Sequence, residues 1–359
     1  MKTYNIIFNS KFLYIFFIFL SLNIFFFSTV NSEGKAFEIN NIDISRPFEI
    51  NFDKNDVLDE GFNTAFSQLI SAITKSSDQK KLNSIKLNEI KSMIETFTIK
   101  EEKFVNEMYY VNLGVSFNKK KVFSYLESKN IFPSIPKRKK FLFIPIIIDE
   151  NEKDLLIFYN NKIFLDWNKN TESNSLIHYI LPEEDLEDLD LIKNKFETIE
   201  QYDFKDITSK YDLDNSIIAL IFKNEKKIRI LSRITVKEDM ILKNQSYNNV
   251  DLYKEDQVKG LINNLKNIYE DYWKSLNLIN TSIKLSINVK IDNKDNQKIL
   301  NFEKKLKEID LVYNFFISKI DKNFTYFRVI FNGTPSVFLK TMRSDNFIFD
   351  TKNKFWILQ

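Results

Sequence analysis

The sequence contains no cysteine, one histidine, five glycines and six prolines in 359 residues. Without cysteine there is no disulfide scaffold, no zinc–thiolate site, no thiol nucleophile and no lipid-bearing cysteine. Five glycines are too few for the glycine-rich loops that cradle phosphates. Arginine is also scarce, 6 of the 52 cationic residues, which disfavours bidentate recognition of phosphate or carboxylate. Neither charge sign dominates: 52 Lys+Arg against 49 Asp+Glu leave a formal +3, which excludes a dedicated polyanion binder. Beyond the first thirty or so residues, no apolar run free of charges reaches the roughly 20 residues needed to cross a bilayer.

What is present is ordinary globular material, 43% hydrophobic and 28% charged, enough for two or three domains. The 35 phenylalanines and 46 lysines fit the codon bias of an A+T-rich gene, so an aromatic side chain signals a site only where its position does. The start of the chain is the firmest signal. Lys2 and Lys11 precede Phe12–Phe27, sixteen mostly apolar residues broken by Ser21 and Asn23. The polar stretch that follows includes Val30-Asn31-Ser32, with Glu33 as the expected new terminus. A basic start, short apolar middle and small-residue junction are the layout of a secretory signal peptide. Residues 1–32 are therefore expected to direct export to the periplasm of a Gram-negative bacterium, the alternative being an uncleaved anchor in the inner membrane.

The remainder divides into α/β and α+β regions, read as three small domains: 33–136, 137–245 and 281–359, with a long connecting helix at 246–280. In the first, apolar alternation before Pro47 marks a strand, and Phe62, Phe66, Leu69, Ile70 and Ile73 mark a helix. A shorter helix is expected over Leu87, Ile90, Met93, Ile94 and Phe97, then a half-buried strand through Tyr109, Val111, Leu113, Val115 and Phe117. The next helix carries Val122, Tyr125 and Leu126, and Pro133, Pro136 and the basic run Lys137–Lys140 mark a boundary. The middle region opens on Phe141–Ile148, FLFIPIII, the pattern of a strand buried on both faces, with a partner over Leu155–Tyr159. An acidic helix follows Pro182, Asp203 is expected to cap a helix over Phe204–Tyr211, and Ile217–Phe222 with Ile228–Val236 form a hairpin. Val258, Leu261, Ile262, Leu265, Tyr269, Trp273 and Leu276 then keep a 3.6-residue period. The last region reads β-α-β-β-α-β, the ferredoxin-like split unit, its second helix opened by Thr334-Pro335.

Several of these stretches together resemble the bacterial exported family catalogued as domain of unknown function 2066. They are the exported start, the helix around Gly61–Ile73, YYVNLGVSFNKKKVFSYLESKNI at 109–131, the FLFIPIII strand, the segment ending at Trp167 and DFKDITSKYDLDNSIIALIF at 203–222. Members similar to this chain carry Asn-Pro-Trp-x-x-Ala-Trp after the second middle strand; here only Asn161 and Trp167 of that segment are kept. The middle region also resembles the N-terminal domain of Tol-system periplasmic proteins in element order. The resemblance implies an exported envelope protein and assigns no activity.

Catalytic patterns are sparse. His178 is the sole histidine, so a metal site or a Ser-His-Asp triad would have to use it, and no nucleophile turn accompanies it. Four Ser-x-x-Lys matches are the number that chance supplies from so many lysines. The acidic run Glu183–Asp190 lacks the central glycine of a calcium loop and reads as a helix N-terminus. Lys137–Lys140 reads as a solvated linker, with contact to anionic lipid as the alternative. No catalytic, cofactor-binding or metal-ligating residue is assigned, and no cofactor. The sequence thus points to an uncharacterised exported envelope protein acting by binding, with an unidentified envelope protein or ligand as partner and no nucleic acid. A carboxylate-only envelope hydrolase and a small-ligand or lipid carrier are the alternatives. Membrane association would come through an uncleaved signal segment.

Overall fold

The computed structural model describes residues 37–82, 84–169 and 175–359. The expected signal segment at 1–32 lies outside them. The described residues belong to one compact unit, Ala36–Gln359, that mixes helices with three sheets.

The first sheet is antiparallel, with β1 (Glu38–Pro47) and β2 (Ile94–Val105) on either side of β3 (Met108–Phe117). The alternation in β3 buries Tyr109, Val111, Leu113, Val115 and Phe117 against helix α1 (Lys54–Ile73). Asp53 starts that helix by accepting a hydrogen bond from the Asn55 amide. Gly61 is where α1 comes closest to the sheet: a Cβ there would lie 2.3 Å from Leu113 Cδ1. A short turn, α2 (Ser76–Gln79), leads to α3 (Leu87–Met93). The expected continuation of α3 through Ile94 and Phe97 is corrected: the chain leaves the helix at Met93 and runs on as β2. Thr96, Thr98 and Ile99 favour extended backbone. Asn106 and Glu107 also both take positive φ, the twist that closes a tight hairpin between β2 and β3. Helix α4 (Lys119–Ser128) follows, capped by Asn118.

The middle sheet is built on β4 (Lys139–Asp149), whose residues Phe141–Asp149 are all buried. One edge of β4 pairs in parallel with β7 (Asn215–Asn224). Its other edge is shared by two short strands, β6 (Ile177–Ile180) alongside 139–142 and β5 (Asp154–Leu156) alongside 147–149. The strand expected over Leu155–Tyr159 is thus shorter. Phe158 takes φ 53° and opens a single 3-10 turn, because the chain must swing off the edge toward α5 (Lys162–Asp166). Helix α6 (Leu186–Lys193) follows Pro182 as expected. The helix expected over Phe204–Tyr211 is one turn, α7 (Lys205–Thr208); Asp203 does accept from the Lys205 amide, but Phe204 itself is left-handed. The hairpin of β7 with β8 (Lys227–Val236) turns at Glu225, and β8 goes on to pair with β9 (Asp239–Tyr247). Strand β9 has no signature in the sequence: it is an edge strand with no buried residue, so it carries no alternation.

Alternate residues of β4 and β7 feed two cores. Phe141, Phe143, Ile147, Ile217, Ala219 and Ile221 face helix α8 (Glu255–Leu276), which contributes Val258, Leu261, Ile262, Leu265, Tyr269 and Trp273. Leu142, Ile144, Ile146, Ile148, Ile218 and Leu220 face the irregular layer carrying Phe158, Ile192, Phe204 and Ile207. The segment 246–280 therefore does more than connect. Its last turns also grip the first region: Lys274 Nζ donates to Ser71 O at 2.6 Å, and Asp271 accepts from the Ser76 amide at 2.8 Å. Residues 133–135 and 277–279 are joined by Ile135 N to Asn277 O and Ile279 N to Pro133 O.

The third sheet has the order β11 (Val312–Ile320), β12 (Phe324–Phe331), β10 (Leu285–Asp292), β14 (Trp356–Leu358), β13 (Phe349–Asp350). Helices α9 (Asn296–Glu308) and α10 (Pro335–Arg343) cover one face with Phe302, Leu306, Phe338 and Met342. The placement of β11, β12, β10 and β14 is that of the ferredoxin-like unit. One detail departs from it: β14 runs parallel to β10, because the chain after α10 first lays down β13 and then reverses.

Candidate functional site

The residues singled out in the sequence do not converge. His178 is exposed on β6, in register with Lys140. The basic run is exposed too, but Lys139 and Lys140 belong to β4, and Lys137 O accepts a hydrogen bond from Trp273 Nε1 at 2.6 Å. The acidic run starts α6 as expected: Asp185 accepts from the Glu187 amide, while Lys210 Nζ reaches both Asp185 at 3.0 Å and the buried Asp188 at 2.6 Å. Asn161 and Trp167, the two kept positions of the family-like segment, are both fully buried and act as framework. Trp167 stacks on Phe143 with ring centroids 3.8 Å apart.

Several carboxylates are engaged in structural bonds. Glu270 Oε1 accepts from Ser175 Oγ and from the amides of Leu176 and Ile177, tying α8 to β6. Burial alone would raise the Asp149 carboxyl, but the Lys223 ammonium at 2.6 Å and the amides of Glu152 and Asn151 hold it below the usual range. Asp166 is likewise lowered, burial being overcome by Lys169 and Lys162. Asp321, held by the amides of Asn323 and Phe324 and by the Tyr326 hydroxyl, sits at about 2. Glu102, Asp185 and Asp295 are lowered as well. A general acid needs the opposite shift. Among the described residues there is also no group of three or more His, Asp or Glu side chains that could hold a metal ion.

A depressed carboxyl stabilises the fold above its unfolded value near pH 4 and loses that contribution as pH falls through its lower folded value. The melting temperature should therefore decline from about pH 4 toward pH 2. Asp149→Asn should melt lower than the parent at pH 7 and lose less between those two pH values. Parallel melting curves for parent and variant across that range would contradict the assignment.

Two surfaces remain. A shallow cleft lies between the end of α5 and the start of α8, lined by Asp166, Trp167, Lys169, Glu255, Lys259 and Lys266 among others. Its charges are largely spent on each other, Asp166 holding Lys162 and Lys169, and Lys266 lying 5.5 Å from the Trp167 ring centre.

The other surface is the open face of the third sheet. Strand β12 sends Thr325, Phe327, Val329 and Phe331 into the core and leaves Phe324, Tyr326, Arg328 and Ile330 on the far side. The register sets Tyr326 between Lys319 and Lys290, and Arg328 between Phe316 and Asn288. Cations and rings touch: Lys290 Nζ is 4.7 Å from the Phe324 ring centre, and Lys319 Nζ is 5.4 Å from that of Tyr326. Phe355 packs edge-on against Tyr326 at 5.3 Å, and Arg328 Nε donates to Ser286 Oγ. None of these side chains is buried, and Phe316 and Arg328 are exposed. This face is hidden in the sequence, because FTYFRVIF puts apolar residues on both sides of the strand and masks the alternation. The available signal was Arg328, one of only six arginines, at an outward position of a strand.

Compared with known proteins, the chain matches no protein-family model and no curated protein.

Proposed function

We propose that this chain is an exported binding protein of the bacterial cell envelope, working in the periplasm by contact and not by catalysis. The observation that carries the reading is the open face of the third sheet, where three cations are interleaved with aromatic rings on a rigid strand framework. Rings offer flat stacking surfaces, and cations beside them add electrostatic attraction for an anion. The matching ligand is a short acidic oligosaccharide, whose sugar faces stack on Tyr326, Phe316 and Phe355 while its acid groups meet Lys290, Lys319 and Arg328. A short ligand fits better than a long polyanion, since the whole chain is close to neutral. The lowered carboxyls support contact over hydrolysis. This role is independent of the resemblance to the family of unknown function, whose own activity is unknown.

Titration with an oligogalacturonate tests the binding. Tyr326→Ala should weaken it by about tenfold, the equivalent of 1.4 kcal/mol, and Arg328→Ala should weaken it and flatten its salt dependence. Arg328 is exposed, so Arg328→Ala should melt like the parent, while Tyr326→Ala should stay folded and melt slightly lower, because Asp321 loses the Tyr326 hydroxyl. Tight binding that survives both substitutions would remove this face from consideration, and stronger binding of single-stranded nucleic acid would replace the glycan. Export has its own check: fractionation should recover the chain outside the cytoplasm beginning at Glu33. Folded cytoplasmic protein retaining its first 32 residues would overturn it.

A further inference from the structure

Strand β11 ends the third sheet, and among the described strands it pairs only with β12. Its outward edge carries Phe316, Ile317 and Ile320 at 46%, 45% and 65% exposure, a heavy apolar load for a strand edge open to water. The sequence of this edge has a symmetry of its own. Read outward in both directions from Phe316, VYNFFISKI pairs Phe315 with Ile317, Asn314 with Ser318, and Val312 with Ile320. Apolar meets apolar, amide meets hydroxyl, and phenylalanine meets itself.

We propose that β11 is a self-recognition edge, through which two copies of this chain pair antiparallel about Phe316. A two-fold axis perpendicular to the sheet keeps each side chain on its own face, and directly opposed residues in an antiparallel pair share a face. Such an axis must therefore pass beside a residue that opposes its own copy. Phe316 meets that condition, and the residues equidistant from it also share faces: Phe315 and Ile317 both oppose core residues of β12, as do Val312 and Ile320. The stretch Asn314–Ile317 is regular, lying between the two register shifts of β11, so the centre of the contact is ordinary strand. The outer pair of Tyr313 with Lys319 adds nothing, since Lys120 and Lys284 already flank the Tyr313 ring. The open edges of β9 and β2 lack this property about their midpoints. About the midpoint of β9, Lys243, the pairs would be Leu242 with Asn244 and Ile241 with Gln245, apolar against polar. About Lys100 of β2 they would be Ile99 with Glu101 and Phe97 with Lys103. The consequence of pairing at β11 is a continuous sheet across two copies.

The absence of native cysteine makes the register testable. Opposed Cα atoms in such a pair lie about 4.5–5.5 Å apart, within the span of a disulfide. Phe316→Cys should cross-link to its own copy under mild oxidation, while Ile317→Cys alone should not, because it faces residue 315 of the other copy. In sedimentation the parent should be dimeric, and Ile317→Lys should weaken the dimer at least tenfold while melting cooperatively and like the parent at concentrations where both are monomeric. Ile317 lies on the helix-covered side of the sheet, so the same variant should bind oligogalacturonate like the parent; loss of glycan binding elsewhere leaves the dimer standing. A monomer at every concentration with no Phe316→Cys cross-link overturns the proposal, and so does equal cross-linking of Ile317→Cys.

Discussion

Leu265→Asp is expected to abolish cooperative folding. Leu265 sits in the middle of α8, fully enclosed, where the helix lies on the middle sheet among Phe141, Phe143, Ile217 and Ile230. Removing the leucine forfeits about 1.5–3 kcal/mol of apolar burial. The carboxylate that replaces it is left in an apolar core, and an uncompensated buried charge costs about 3–5 kcal/mol more. The sum is comparable to the whole stability of a typical domain, about 5–15 kcal/mol. The neighbouring Asn264 is exposed on the opposite side of the helix, so Asn264→Asp should shift stability by about 0.5 kcal/mol or less. Thermal unfolding followed by circular dichroism compares the two directly. A Leu265→Asp protein that melts like the parent would mean that the stripe does not hold the middle core, and would make α8 a partner-binding helix instead.

The elements that were legible in the sequence are those whose burial is one-sided or complete. Strand β3 alternates because one face meets α1, and β4 is apolar throughout because α8 covers one face and the irregular layer the other. The stripe of α8 and the Thr334-Pro335 start of α10 were readable for the same reason: a single packing face or a single cap decides the local pattern. Where burial is weak the pattern fades. Strands β2 and β9 have no buried residue, so the start of β2 carries a helix-like spacing and β9 shows no alternation. The open face of the third sheet is hidden in the sequence on different grounds. Its aromatic residues share β12 with core aromatics, and in a chain with 35 phenylalanines residue type alone does not tell the two faces apart. Only the register, which places Lys319, Tyr326 and Lys290 in one row, separates them. Asn161 and Trp167 show the converse: both stood out in the sequence, and both serve the framework.

Asn161→Ala should cost about 3–5 kcal/mol of stability. The side-chain amide has two donor hydrogens and two acceptor lone pairs, and all are used. Its Nδ2 donates to Pro145 O at 3.0 Å and to Leu156 O at 3.2 Å, while its Oδ1 accepts from the amides of Ile163 at 2.9 Å and Phe164 at 3.1 Å. The position explains the need. The outer edge of β4 is paired by β6 only at 139–142 and by β5 only at 147–149, which leaves Pro145 without a partner on that edge. Asn161 closes that gap from the first turn of α5 and caps the helix with the same group. Truncation to alanine strands two carbonyls and two amides out of reach of water, at about 1–3 kcal/mol for each group that finds no new partner. Asn161→Asp separates the two halves of the role. The carboxylate can still cap α5, but it faces the carbonyls of Pro145 and Leu156 with no proton to offer, so its protonated form is the one the fold prefers. Its folded value is then raised, and the stability it contributes is present below about pH 4 and lost as pH rises. The gap in urea midpoint between Asn161→Asp and the parent should therefore be large at pH 7 and narrow toward pH 4, whereas the gap for Asn161→Ala should stay constant. A loss below about 1 kcal/mol for Asn161→Ala would show that water or a neighbouring group can take over the staple, and that the split edge of β4 holds itself together.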